Sequence, residues 1–340
     1  MNRSTAAIPA RVRLATLLSA MALLATSGMP GSALVAAEDG SNGTVTVTTE
    51  VLGSIVGQLV GDTGEVVVIM PGGANPHTYE PSARDAERML KADVVVSNGL
   101  DLEEGLLSVL EAAQGEGVDW FQAADYIALD GREDLADEDH GHEADHDEDD
   151  ANHDEDTHEA EADHDHDEAD PHIWTDPMLM RDVVLALEPV LTEAGFDVGD
   201  NAQALASGLE TLDEEIATIL AIVPEDERKL VTGHRSLGYF ADRYGFEMIG
   251  TVIPSLSTSG EPTARELAAL IDDIAEHGVE AVFAEVGTPQ SVAQAVAGDS
   301  GAELVELSTS QLPEDGTYQD LIADIATTIA GALGDEAASS

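Results

Sequence analysis

The chain has 340 residues, with 13 Lys+Arg against 69 Asp+Glu, a formal net charge of −56, and no cysteine. Charge of this sign repels phosphate backbones and anionic lipid, which argues against nucleic-acid and membrane-surface binding; the missing cysteine removes disulfides, thiolate metal sites and a cysteine nucleophile. An apolar content of 43% is enough to bury a core, and the length suits about two domains.

Residues 1–37 read as a secretory signal peptide. Arg3, Arg11 and Arg13 come first, an apolar run spans Leu14 to Ala25, and small residues end at Val35-Ala36-Ala37. That run makes a helix of only about 18 Å, too short for a hydrocarbon core of roughly 30 Å. The expected location is extracytoplasmic, periplasmic or secreted, and soluble after cleavage. With no cysteine to carry a lipid, the mature chain is expected not to be a lipoprotein.

The mature chain then alternates strands and helices. Strands are expected at 44–49, 65–70 and 93–97, with helices at 52–59, 83–91 and 103–113. The composition changes sharply between Glu133 and Asp170, which holds 21 acidic residues, no Lys or Arg, and seven histidines: His140, His142, His146, His153, His158, His164 and His166. Almost no side chain there is larger than alanine and apolar, so residues 133–169 are expected to form a disordered loop. Histidines flanked by carboxylates suit several weak metal sites, and a solvated acidic spacer is the plainer alternative.

Beyond the loop, helices are expected at 177–194 and 202–222. In the second, Leu205, Leu209, Leu212, Ile216 and Ile219/Leu220 recur at helical spacing. Strands at 229–232, 248–253, 281–284 and 304–307 alternate with helices at 237–244, 264–277, 289–297 and 318–333. This pattern predicts an α/β fold of two lobes, each a parallel sheet flanked by helices. Ligands in such sheets bind outside the carboxyl ends of the strands.

Four histidines lie outside the loop. His277 ends a helix before Gly278, where a histidine suits the helix dipole. The others sit in turns: His77 after Pro71-Gly72-Gly73-Ala74-Asn75-Pro76, His172 within Asp170-Pro171-His172-Ile173-Trp174, and His234 in Thr232-Gly233-His234. Two follow strands directly. Three imidazoles with an open fourth position suit zinc, although a lone histidine after a strand is more often an ordinary loop residue. Asp176-Pro177 reads as a helix N-cap followed by proline at the first helical position.

At these residues the chain resembles the zinc-specific solute-binding proteins of bacterial ABC importers. The similarity rests on Asn-Pro-His-Thr-Tyr-Glu-Pro (75–81), Asp-Pro-His-Ile-Trp-Thr-Asp-Pro (170–177), Thr-Gly-His-Arg-Ser-Leu-Gly-Tyr-Phe (232–240), Glu261-Pro262 and Val282-Phe283-Ala284-Glu285, together with the acidic, histidine-rich loop. The resemblance implies two lobes joined by a long rigid helix, with an N-terminal lobe at 38–194, a linking helix at 195–225 and a C-terminal lobe at 226–340. It implies one metal ion between the lobes, held by His77, His172 and His234, and transfer of zinc by a monomer to a membrane permease without chemical transformation. An Asp that the family often carries late in the second lobe is missing from Ser308-Thr309-Ser310-Gln311-Leu312. The fourth ligand is then a water, Glu285 or a loop histidine, and Glu285 or Glu80 could instead orient an imidazole. Alternatives are a manganese or iron receptor of the same class and a zinc buffer without a permease. A zinc hydrolase lacks any recognised motif here.

Overall fold

The computed structural model describes residues 43–127 and 169–334. The expected signal segment and the seven loop histidines lie outside the described residues.

The first lobe is a parallel sheet of β1 (Gly43–Val47), β2 (Gly64–Val68), β3 (Val94–Ser97) and β4 (Asp119–Gln122), in the order β2-β1-β3-β4. Helices α1 (Glu50–Val60), α2 (Ala83–Lys91) and α3 (Leu107–Glu116) connect them. Central β3 is buried along its whole length, as a strand covered on both faces must be, and Val94-Val95-Val96 meets that demand. The edge strand β4 was not expected from the sequence; its four residues, Asp-Trp-Phe-Gln, carry neither an apolar run nor clean alternation.

The second lobe repeats the plan with β5 (Lys229–Thr232), β6 (Glu247–Thr251), β7 (Ala281–Ala284) and β8 (Glu303–Glu306), in the order β6-β5-β7-β8. Between the lobes run α4 (Pro177–Ala194) and α5 (Gly199–Leu220), and α6 (Gly238–Tyr244), α7 (Ala264–His277), α8 (Gln290–Ser300) and α9 (Tyr318–Leu333) complete the second lobe. In each sheet the strand order reverses beside the first strand, β1 or β5, which opens a crevice at the carboxyl ends.

One apolar core passes through both lobes. The α5 stripe Leu205, Leu209, Leu212, Ile216 and Leu220 belongs to the same buried cluster as Val45 and Val96 of the first sheet, Leu230 and Phe283 of the second, and Ile322, Ile325 and Ile329 of α9. The 22 residues of α5 make a rod of about 33 Å. Polar contacts lock α9 to the first lobe as well: the amides of Gln58 and Gln319 bond each other reciprocally, and Tyr318 N donates to Ser54 Oγ at 2.9 Å. Arg243 on α6 pairs with Asp213 on α5 and lies 3.4 Å from Asp176, the N-cap of α4. The loops that open α4 and α6, which bear His172 and His234, are thereby tied to one helix. No described helix is long and apolar enough to cross a membrane.

Candidate metal centre

His77, His172 and His234 converge. Each is buried, at 9, 1 and 4% exposure, and their ligand atoms lie within 4.8 Å of one another. His172 Nε2 is 3.3 Å from His77 Nε2 and 3.1 Å from His234 Nε2. Metal–nitrogen bonds of 2.0–2.1 Å in a tetrahedral site place donors about 3.3 Å apart, so these two spacings fit a small dication.

Each imidazole is delivered by a different device. His77 follows β2 through a turn in which Asn75 Oδ1 accepts from His77 N at 3.1 Å. Asn75 Nδ2 donates across the cleft to Thr258 Oγ1 at 2.7 Å. His172 sits in a similar Asx-Pro-His turn, where Asp170 Oδ1 accepts from His172 N at 2.9 Å and lies 2.7 Å from His172 Nδ1. Asn98 Nδ2 donates to Pro171 O and fixes that turn to the end of β3. His234 follows β5 after Gly233, whose α-carbon faces Thr288 so closely that a Cβ there would fall 1.9 Å from Thr288 Oγ1. Only glycine lets the loop pass.

His234 Nδ1 lies 2.6 Å from Glu285 Oε2, a close pair bent away from hydrogen-bond geometry, with neither atom engaged by another described group. Ser236 Oγ donates to Glu285 Oε1 at 2.7 Å and holds the carboxylate. Glu285 therefore stands outside the three-imidazole group, beside the outer nitrogen of His234. Glu80 is exposed and also stands outside the group, and the cap of the following helix is Ser82 with Asp85 instead. Asp170 was not singled out from the sequence as a ring partner. Its signal was the Asx two residues before a histidine, which places a side-chain oxygen against that histidine's backbone N–H.

The carboxylates bear on the tautomers. In the tautomer that places Nδ1–H toward Asp170 and Glu285, the Nε2 atoms of His172 and His234 each present a lone pair. Two lone pairs 3.1 Å apart repel unless a cation lies between them. The two carboxylates also supply two negative charges behind the ring pair, balancing a dication. Burial, followed by the neighbouring His172 and His234, lowers the pKa of His77 from 6.5 to about 3, so that ring stays neutral. The rings open on a narrow cleft lined also by Thr258, Val286, Thr309 and Ser310. Trp174, 5.2 Å from the His172 ring, donates its Nε1–H to Thr309 O in the second lobe.

Fold and site define a two-lobed solute receptor with a buried, imidazole-lined cleft between its sheets. The model of the family described as ZnuA, zinc-uptake complex component A, periplasmic, matches residues 45–332, and the chain belongs to that family of metal-binding solute receptors. It is 31% identical over 327 residues to the high-affinity zinc uptake system protein ZnuA of Paracoccus denitrificans, covering 92% of this chain and 96% of the relative. It is 26% identical over 306 residues to the manganese-binding lipoprotein MntA of Halalkalibacterium halodurans, covering 87% and 90%. The fold matches the periplasmic zinc-binding protein TroA of Treponema pallidum with a TM-score of 0.70 at 24% identity, covering 86% of this chain and 100% of TroA.

These relatives correct one expectation. MntA is named a lipoprotein, so receptors of this kind include membrane-anchored proteins, and the expectation of a free, non-lipoprotein chain does not stand. It rested on the absence of one residue type. An extracytoplasmic location fits the family.

Proposed function

We propose that this chain captures zinc outside the cytoplasm and hands it to an ABC-type permease, as the binding component of an importer. The observation that carries the choice of zinc is the donor set: the described metal-ligating group consists of three imidazoles, with no carboxylate among its members. Nitrogen donors favour zinc over manganese, which prefers oxygen. His77, His172 and His234 are the ligands, and Asp170 and Glu285 hold two of the rings with Nε2 turned inward. The fourth position faces the cleft and takes water or another exogenous donor. Capture needs no bond making in the cargo, so the chain acts as a receptor and not as an enzyme.

The lobes divide at 38–194 and 226–340, with 195–225 linking them, and the chain works as a monomer against its permease. The segment 133–169 supplies weaker, interchangeable sites on His140, His142, His146, His153, His158, His164 and His166, which raise the local zinc concentration. Ala169, where the described chain resumes, lines a cavity beside His77.

Metal titration with elemental analysis of the wild type and His234→Ala tests this reading. One tight zinc per chain, lost in the variant and not displaced by equimolar manganese, is the expected result. Tight zinc binding retained by the variant would overturn it. A manganese or iron receptor of the same class is the second reading, favoured by the name of the MntA relative; preferential retention of either metal in the competition would establish it.

A further inference from the structure

The three imidazoles are not equivalent. His172 has Asp170 at its outer nitrogen and His234 has Glu285. His77 has no such carboxylate: its backbone N–H is held by Asn75, its Nε2 faces His172, and its Nδ1 has no hydrogen-bond partner among the described residues. His77 is also the most exposed of the three, although nine-tenths buried.

His77 stands in two walls at once. It lines the small cleft with His172 and His234, and it alone of the three also lines a wider cavity. The far wall of that cavity carries the exposed carboxylates of Asp101 and Glu104, and the second lobe contributes Leu256 and Ser257. Among the described residues, no Lys or Arg lines it.

The acidic wall is fixed in place. Leu100 and Asp101 both adopt positive φ, at 52° and 53°, a conformation that costs non-glycine residues energy and needs support. That support is the buried Glu103 carboxylate, which accepts from Thr48 Oγ1 at 2.6 Å, from Asn98 N at 2.8 Å and from Gly99 N at 3.4 Å. The turn therefore holds Asp101 and Glu104 at the cavity instead of leaving them to a free loop.

We propose that this cavity is the passage by which the divalent cation reaches the cleft: Asp101 and Glu104 draw it in, and His77 is the first imidazole it meets. The proposal rests on the metal-receptor reading above. The division of labour follows from bonding. Two rings have a carboxylate oxygen at the outer nitrogen, 2.7 Å away at His172 and 2.6 Å away at His234. His77 has no such carboxylate and is the one ring of the three that the wider cavity reaches.

The test is the kinetics of zinc binding to the full chain, read by fluorescence of Trp174 beside His172. Asp101→Asn/Glu104→Gln is compared with a control pair on the exposed face of α5, Glu214→Gln/Glu215→Gln, which removes the same charge elsewhere. The expected result is association slowed roughly 3–10-fold at low ionic strength in the first variant, with a flatter salt dependence and dissociation changed less than about 2-fold. The control should associate like the wild type. Equal association rates and salt slopes for the first variant and the wild type overturn the passage while leaving the receptor reading standing. Equal slowing in the control also overturns it, by assigning the effect to the overall charge. A wild type that binds neither zinc nor manganese removes the receptor reading, and the passage with it.

Discussion

Two turns with the same design, Asn75-Pro76-His77 and Asp170-Pro171-His172, present their imidazoles to one point. In both, the Asx side-chain oxygen accepts from the histidine backbone N–H, at 3.1 and 2.9 Å. They differ in one group. The Asp170 carboxylate also reaches the outer ring nitrogen of its histidine, whereas the Asn75 amide turns its Nδ2 to Thr258 in the other lobe. Asp170 Oδ1 serves both the backbone N–H and the outer ring nitrogen of His172, whereas Asn75 Oδ1 serves only the backbone N–H of His77; one ring has a carboxylate against it and the other is positioned through its backbone.

The largest expected effect comes from removing the ring with the carboxylate against it. Structural zinc binding amounts to about 10–16 kcal/mol over four ligands, or roughly 3 kcal/mol for each, so His172→Ala should weaken zinc binding by about 100-fold or more. His77→Ala should cost less, because its ring has no carboxylate to raise its donor strength. Isothermal titration against a competing chelator measures both. Equal losses would erase the distinction between the turns.

Asp170→Asn converts the second turn into a copy of the first. The amide oxygen still accepts from His172 N, so the turn survives and the fold should lose less than about 1 kcal/mol. Only the charge at Nδ1 is lost, and partners of this kind typically contribute 10–100-fold in metal affinity. Urea unfolding of the metal-free protein and a zinc titration separate the two effects. A large loss of stability with unchanged affinity would make Asp170 a turn residue alone.

The turns also predict a pH dependence. In the metal-free protein, burial and the neighbouring rings keep His77 neutral down to about pH 3, while in the unfolded chain it takes a proton near 6.5. Between those values the unfolded state holds more protons, so stability should fall as pH falls from 6.5 toward 3, by at most about 1.4 kcal/mol per pH unit from this group. Above 6.5 its contribution is constant. Urea midpoints across this range, for the wild type and His77→Asn, should differ in slope, with the variant flatter.

How much of this was legible in the sequence follows from the range of each interaction. Strand–helix alternation and the α5 stripe are local, and they gave the two sheets; β4 escaped because Asp119-Trp120-Phe121-Gln122 is too short and mixed to show a period. The Asp176 cap and Pro177 were readable because a cap acts within three residues. The convergence of His77, His172 and His234 was not readable from spacing, since residues 95 and 62 apart meet only through the packing of two lobes. Resemblance supplied that link. Glu285 was visible at a strand end, but the nitrogen it faces depends on side-chain direction. Glu80, only three residues after His77, is exposed and joins no imidazole.

The smallest effect is the most direct test of the comparison. Asn75→Asp gives the first turn the chemistry of the second. The new carboxylate can still accept from His77 N, and Thr258, formerly an acceptor, can turn its hydroxyl to donate, so the bond across the cleft is kept with its direction reversed. What changes is a negative charge placed beside the one imidazole that lacks it. If charge is what distinguishes the rings, the variant should hold zinc longer, with dissociation slowed about 2–5-fold, below the 10–100-fold range because Asn75 Oδ1 bonds the backbone and not the ring. Stopped-flow release into a chelator reads this directly. Faster release would mean that the amide bond to Thr258, and not the missing charge, sets the behaviour of His77.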